Sequence, residues 1–300
     1  MDFTLKQLQV FVAVVTRGST MAASRALSKS QPAVSSAIAE LETHLGSQLF
    51  DRWKKRMVLN ERGRALLPMA RLLLANARDL GQMFGAGKNQ VSGTLRLGAS
   101  LTLANYVMPD TLSEFVAVYP HVKMDVVCRN KVGIIAQIED FSIDIGVIAG
   151  QCSKPDVASR PWLTDELCVF AAASHPLARK PRVTTADLAG SQWILREEGS
   201  GTLEVFHNAL PAGTRPLRII MEFDNLESIK RSVEHGKALS CLSRMAVKRE
   251  VEAGLLKILP TPYLDLRRDY YFLVHQKRHQ SALLSAFLSY CSIGGKPPVV

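Results

Sequence analysis

The chain has 300 residues, about twice the usual size of one domain, so two or three compact units are expected. With 47% hydrophobic and 21% charged residues it is ordinary globular material, which excludes a disordered, collagen-like or disulfide-framework protein. The net charge of +10 is unevenly placed: residues 1–90 hold 13 Lys and Arg against 6 Asp and Glu, and the remainder holds 24 against 21. A basic small end on a nearly balanced body suggests a polyanion-binding module joined to something else, although basicity alone does not separate nucleic acid from membrane. No apolar run is long enough for a membrane span, and Met1 to Phe11 interleaves Asp2, Lys6, Gln7 and Gln9 with apolar residues, unlike a signal peptide. A cytoplasmic location is therefore expected. The five cysteines, Cys128, Cys152, Cys168, Cys241 and Cys291, form no C-x-x-C pair and read as reduced thiols.

The first sixty residues read as three short helices and a basic ribbon. Leu5, Leu8, Val12 and Val15 form one apolar stripe on a helix that Arg17-Gly18 stops. Ser19 caps a second helix carrying Ala22, Ala23, Ala26 and Leu27, and Ser30 caps a third with Pro32 in its first turn. On that third helix Val34, Ile38, Leu41 and Leu45 form the apolar face, while Gln31, Ser35, Ser36 and Ala39 lie on other faces and are small or hydrogen-bonding. Leu49-Phe50 then anchors a hairpin whose tip, Arg52-Trp53-Lys54-Lys55-Arg56, carries four cations. Two helices joined by a tight turn beside a cationic ribbon suit a winged helix-turn-helix, in which Ser30, Gln31, Pro32, Ser35 and Ser36 face DNA bases and Arg52, Lys54, Lys55 and Arg56 face phosphates. The plainer alternatives are a solvated helix face and a solubility patch.

From Asn60 a long helical pattern runs to about Phe84. Leu66, Ala70, Leu73, Ala77, Leu80 and Phe84 form a heptad seam that implies pairing with a second chain, and Pro68 predicts a kink. Residues 85–93 read as a linker. Beyond it, strand patterns at 94–99, 122–127, 143–148, 167–173, 193–195, 217–222, 238–242 and 271–274 alternate with helical patterns at 111–119, 132–139, 203–210, 226–235 and 281–290. That alternation predicts α/β sheets with crossovers, in two lobes.

These residues resemble a family. Leu5 to Phe11, Gly18-Ser19, Ala22-Ala23, Ser30-Gln31-Pro32-Ala33-Val34-Ser35, Leu41-Glu42 to Leu45-Gly46 and Leu49-Phe50-Asp51-Arg52 resemble the LysR-type transcriptional regulators. The likeness continues through Tyr119-Pro120, Asp144-Ile145-Gly146, His175-Pro176-Leu177-Ala178, Trp193 to Arg196 and Gly199-Ser200-Gly201-Thr202. It implies a winged helix-turn-helix at 4–61, a linker helix for dimerisation at 62–90 and an effector-binding domain at 91–300. That domain would be similar to type 2 periplasmic binding proteins, with lobe I at about 91–162 and 267–300 and lobe II at about 163–266. The chain departs from the family pattern at Asn60, where threonine is common, at Ser36 and Ala37, and at His235-Gly236-Lys237-Ala238. Glu198 to Thr202, Pro161 to Leu167 and Cys241 to Arg244 look closest to members concerned with sulphur assimilation and sulfite.

For the effector, Ser100, Leu101 and Thr102 follow the first strand of lobe I, where open α/β sheets bind ligands. Gly199, Ser200, Gly201 and Thr202 precede a helix whose free N–H groups favour an anion. The plainer alternative for each set is a helix cap. Neutral donors from Ser100, Thr102, Ser200 and Thr202 would suffice, with Arg196 as a further charge. His275 and His279 lack the partners of a metal site, Cys152 is read as an idle thiol, and Ala149 as a pocket change. No catalytic, metal or cofactor site is expected. The expected function is DNA binding modulated by a small, anionic effector in a dimer or tetramer, with RNA polymerase as a further partner and no membrane. The alternative is a solute-binding or transferase-like α/β protein with an incidental basic N-terminal domain.

Overall fold

The structure, a computed structural model, describes residues 3–53, 56–85 and 91–294. Contacts gather Met1–Gln90, Glu139–Ser142 and Lys277–Ser281 into one compact unit and Val91–Ile138, Ile143–Gln276 and Ala282–Val300 into another.

In the first unit α1 (Leu5–Arg17) starts at a capping box: the Thr4 hydroxyl accepts from Gln7 N at 3.2 Å and the Gln7 side chain accepts from Thr4 N at 2.8 Å. It ends at Gly18, whose φ of +74° is the left-handed conformation glycine adopts freely. Ser19 and Ser30 cap α2 (Thr20–Ala26) and α3 (Gln31–His44). The hairpin β1 (Phe50–Trp53) and β2 (Arg56–Leu59) pairs Phe50 with Leu59 and Trp53 with Arg56. Then comes α4 (Glu61–Gly85). Leu8, Phe11, Val14, Val34, Ile38 and Leu41 fill the core. The buried face of α1 differs from the expected stripe: Leu8, Val10, Phe11 and Val14 are buried, whereas Leu5 is exposed. Phe11 decides the rotation by setting its ring edge-on to Phe50 at 5.6 Å. Helix α4 continues through Pro68 as one α-helix.

The second unit runs β3 (Gly93–Ser100), α5 (Leu101–Tyr106), α6 (Met108–Val118), β4 (Val122–Arg129), α7 (Lys131–Glu139), β5 (Ile145–Ala149) and β6 (Val157–Ala172). It continues with α8 (Thr185–Gly190), β7 (Gln192–Arg196), α9 (Gly201–Ala209), β8 (Arg218–Phe223), α10 (Leu226–Glu234) and β9 (Ala238–Ser243). It closes with α11 (Arg244–Glu252), β10 (Leu256–Ile258), β11 (Arg267–His275) and α12 (Ala282–Gly294). The strands lie in the order β4-β3-β5-β11-β6-β9-β7-β8, with β10 on β6. Parallel β3, β4 and β5 make one lobe and parallel β7, β8 and β9 the other.

The antiparallel pair β6 and β11 joins the lobes. Residues 157–166 of β6 pair with β11, and from Leu167 onward the strand pairs with β9. This crossover is longer than the expected strands at 167–173 and 271–274. Its first half carries Pro161, which has no N–H for the ladder, and the register shifts opposite it between Asp269 and Tyr271. Helices α5, α8 and α11 were not expected: α5 and α8 have only six residues, and α11 (RMAVKREVE) buries little beyond Ala246 and Val247.

Candidate functional site

The first unit presents an exposed helix face. The Ser30 hydroxyl accepts from Ala33 N at 3.3 Å, and Pro32 sits in the first turn, where its missing N–H costs nothing. Ser30, Gln31, Pro32 and Ser36 are exposed, and Ser35 is half-buried. The Gln31 amide donates to Ser35 Oγ at 3.0 Å and to Thr20 Oγ1 at 3.4 Å, so its head group is oriented from within the two-helix motif. A side-chain amide is the group that can pair in two directions with an adenine edge. In the hairpin, the backbones of Arg52 and Arg56 pair with Met57 and Trp53. Lys54 and Lys55 lie outside the described residues.

The expected seam on α4 needs correction. Ala70 is fully buried in its own unit's core and so is not free to meet a second chain, while Leu66 is partly buried against that core. Among the described side chains the large exposed apolar residues of α4 are Met69 and, from the expected seam, Leu73, Leu80 and Phe84, with Phe84 81% exposed and Ala77 half-buried beside them. They recur at 4, 7 and 4, a heptad stripe one position away from the core-facing one.

In the second unit a narrow cleft between the lobes gathers residues remote in sequence. Ser100, Leu101 and Thr102 from the end of β3 and the start of α5 meet Ser200, Gly201 and Thr202 at the start of α9, with Asn130, Lys131, Ala149, Arg196 and Arg268 completing the lining. Gly199 is the one expected effector residue outside that lining; its φ of +82° forms the turn before Ser200. A side chain at Gly201 would put Cβ 2.9 Å from the Ala149 carbonyl, so the two lobes approach there only because position 201 is glycine. The free volume is about 10 Å³, room for a single water. A larger cavity, about 700 Å³, shares Arg268 with the cleft and is otherwise lined by residues such as Asp165, Glu166, Arg244, Met245 and Tyr270.

Three of the cleft's hydroxyls, those of Thr102, Ser200 and Thr202, are buried and bonded. Ser200 Oγ accepts from Thr202 N at 3.3 Å, while Ser100, although at the N-cap position of α5, makes no side-chain cap bond. Arg268 donates to Thr202 Oγ1 at 2.9 Å and to Thr102 Oγ1 at 3.4 Å, touching a hydroxyl from each lobe. Its Nε donates to Asp165 Oδ2 at 2.8 Å, and both side chains are only 2% exposed. The Tyr270 and Ser243 hydroxyls donate to the same carboxylate at 2.6 and 2.8 Å. Burial drives the Tyr270 pKa well up, which keeps its proton in place. Burial alone would lower the Arg268 pKa, but Tyr270 and Asp165 outweigh it and raise it.

Arg196, treated from sequence as an added charge, is buried with a bidentate hold on Glu197 at 2.8 and 2.9 Å. Lys131 is paired with Glu204 at 2.7 Å. Arg268, Asn130 and Lys131 were missed by sequence reasoning. Arg268 alone left a signal: it sits with Tyr270 and Phe272 on the buried face of an alternating strand, where a cation needs a partner. His275 is buried and His279 exposed, and among the described residues no cluster of three metal-ligating side chains occurs. Burial pushes the Cys168 thiol up to about 12. Among the described residues no helix is long and apolar enough to cross a membrane.

Comparison with known proteins matches residues 5–64 to the bacterial regulatory helix-turn-helix protein model, lysR family, and residues 88–293 to the LysR substrate binding domain. The chain is 41% identical over 297 residues to the uncharacterized HTH-type transcriptional regulator YeiE of Escherichia coli, covering 99% of this chain and 100% of that one. It is 33% identical over 287 residues to the HTH-type transcriptional regulator CbbR of Rhodospirillum rubrum, covering 95% of each. To CysL of Bacillus subtilis it is 29% identical over 262 residues, covering 87% of each. Among solved structures, full-length OxyR from Pseudomonas aeruginosa superposes with a TM-score of 0.79 at 22% identity, covering 98% of this chain and 96% of that one. The Synechocystis CcmR regulatory domain in complex with 2-PG superposes with a TM-score of 0.64 at 27% identity, covering 69% of this chain and 99% of that domain.

Proposed function

The chain belongs to the LysR family of DNA-binding transcriptional regulators, and from that premise we propose that a small oxyanion or short carboxylate held in the cleft between the lobes controls its promoter binding. The observation that carries this reading is the convergence of Ser100, Thr102, Ser200 and Thr202 on one cleft. Hydroxyls and helix N–H groups stabilise an anion without a counter-cation. A ligand bridging both lobes favours one lobe arrangement over others by its differential affinity, and that bias is what reaches the DNA-binding end. The CcmR domain, whose solved structure holds 2-PG, supports a small acid in this kind of domain.

In this reading residues 4–61 bind DNA: Ser30, Gln31, Pro32, Ser35 and Ser36 enter the major groove, and Arg52, Lys54, Lys55 and Arg56 follow the phosphates. Residues 62–90 pair two chains through Met69, Leu73, Ala77, Leu80 and Phe84, and residues 91–300 hold the effector and build the tetramer. The protein works in the cytoplasm without catalysis. A sulphur oxyanion is the finer reading. CysL among the relatives fits the sulphur-linked motifs, but CbbR matches at higher identity, so the sulphur branch rests on those motifs alone. The alternative of an incidental basic N-terminus is set aside by the match of residues 5–64 to the family's helix-turn-helix model.

A thermal-shift screen of small anions on the full chain, followed by a gel shift on its own promoter region with and without the hit, tests the proposal. A ligand that binds the folded form raises the melting temperature with concentration. Stabilisation only by neutral or cationic compounds would sink it.

A further inference from the structure

Each cation lining the cleft is paired with a carboxylate: Arg268 with Asp165, Arg196 with Glu197 and Lys131 with Glu204. The pairs differ in what supports the carboxylate once its cation is engaged elsewhere. Asp165 is 2% exposed, so losing Arg268 would strand a buried charge, and Glu197 is 22% exposed and holds its neighbour Arg196 with both oxygens. Glu204 is 53% exposed and lies in the first turn of α9, where the free N–H groups favour a negative charge. Water and the helix end therefore support it without Lys131. Lys131 is placed the other way round: it is 12% exposed and is the first residue of α7, where its charge meets the positive end of its own helix.

The pair also spans the lobes, since α7 lies between β4 and β5 and α9 between β7 and β8. A Cβ at Gly201 would lie 3.6 Å from Lys131 Cδ and one at Gly150 3.4 Å from its Nζ, so the lysine runs against both glycines before meeting Glu204 at 2.7 Å. Nearby, Val132 N donates to the Gly199 carbonyl at 3.4 Å and Asn130 Nδ2 to the Glu198 carbonyl at 3.5 Å. Both are long, so the ion pair is the short bond across this edge. With room for about one water, the cleft takes an oxyanion only if its lining moves, and Glu204 is the partner that leaves at least cost.

Building on the anion reading of the cleft, we propose that Glu204 is a positioning residue that stands in for the effector's charge: its carboxylate holds Lys131 across the lobes until a small oxyanion displaces it. Lys131 then adds a charged donor to the neutral hydroxyls, and the anion replaces a bond that had joined the lobes. Glu204 lowers anion affinity by competing for the same cation, so its removal tightens binding.

Calorimetry on the full chain with sulfate as the probe, at fixed ionic strength, tests this. Glu204→Gln keeps an oxygen for Lys131 but removes the charge, and it is expected to tighten sulfate binding ~2- to 5-fold, the range of a partly exposed ion pair. A merely structural role would weaken binding or leave it unchanged, and either result overturns the inference. Lys131→Gln is expected to weaken sulfate binding ~3-fold or more, because the anion loses a charged donor. Adding Glu204→Gln to Lys131→Gln should bring no further gain, since no cation is left to compete for. A gain as large as that in the wild-type background would show that Glu204 acts by long-range charge, and would overturn the inference as well. If neither the wild type nor Glu204→Gln binds sulfate, the oxyanion reading itself falls, whereas binding without the gain strikes down only the role of Glu204.

Discussion

The helix face offered to DNA and the cleft offered to the effector are built over different ranges of the chain. Gln31, Ser30 and Ser35 are oriented by bonds to residues at most 11 positions away and stay largely in solvent. Two of the cleft hydroxyls, Thr102 and Thr202, are held by Arg268, whose bonds to Thr202, Asp165 and Thr102 span 66, 103 and 166 positions, and all four side chains are buried. A short-range, exposed site can change its reading without touching the core. A long-range, buried one carries recognition and stability on the same side chains.

Arg268→Ala tests that difference most severely. Removing one partner of a buried ion pair leaves the other uncompensated, so the second unit should lose about 3–5 kcal/mol, read as an earlier denaturant transition for residues 91–300. Retention of stability within about 1 kcal/mol would show that Asp165 is not confined as its surroundings imply. Next in size is Leu73→Asp with Leu80→Asp on the exposed stripe of α4. Charges placed where apolar partners meet should convert the dimer to monomer in light scattering, and Ala70, already spent on the chain's own core, should not rescue it. Persistent dimers would return the stripe to a solvent face. Gln31→Ala should leave the melting temperature unchanged while relaxing base preference by about 1–3 kcal/mol at one position. Arg52→Ala with Lys55→Ala should instead weaken all sequences alike and lower the salt slope by about 2.

How much of this was legible in the sequence follows the same division. The caps Ser19 and Ser30, the apolar face Val34-Ile38-Leu41 and the hairpin after Leu49-Phe50 are local patterns, and each element stands where the pattern put it. The alternating strands and helices of the second unit were also legible, because burial on both faces leaves apolar runs such as Ile145–Ala149. The choice of face on α1 and α4 was not: two adjacent stripes fit the helical period, and only the opposing side chains, such as Phe50 against Phe11, decide between them. Ser100, Thr102, Ser200 and Thr202 were read from motif positions, but nothing local could say that Arg268 lies between them, since sheet order rather than spacing brings β11 beside β6.

Asp187 provides the smallest and most discriminating test, because it is a local motif placed inside the long-range unit. Its carboxylate closes the capping box of α8, accepting from Thr184 N at 3.0 Å, and pairs with Lys180 at 2.7 Å. The Lys180 bond and then the Thr184 bonds pull its pKa down to about 2 from 3.8. A depressed carboxylate stabilises the fold above its unfolded value, and that contribution is lost as pH falls from 3.8 through about 2. Because Lys180 is half exposed, solvent screening reduces the effect, and Asp187→Asn should cost no more than about 1 kcal/mol at neutral pH. Urea midpoints of wild type and variant should converge as the pH is lowered through that window, while anion affinity stays the same. If Asp187→Asn also changed anion affinity, membership of the second unit, rather than the range over which a side chain is bonded, would be what couples a residue to the cleft.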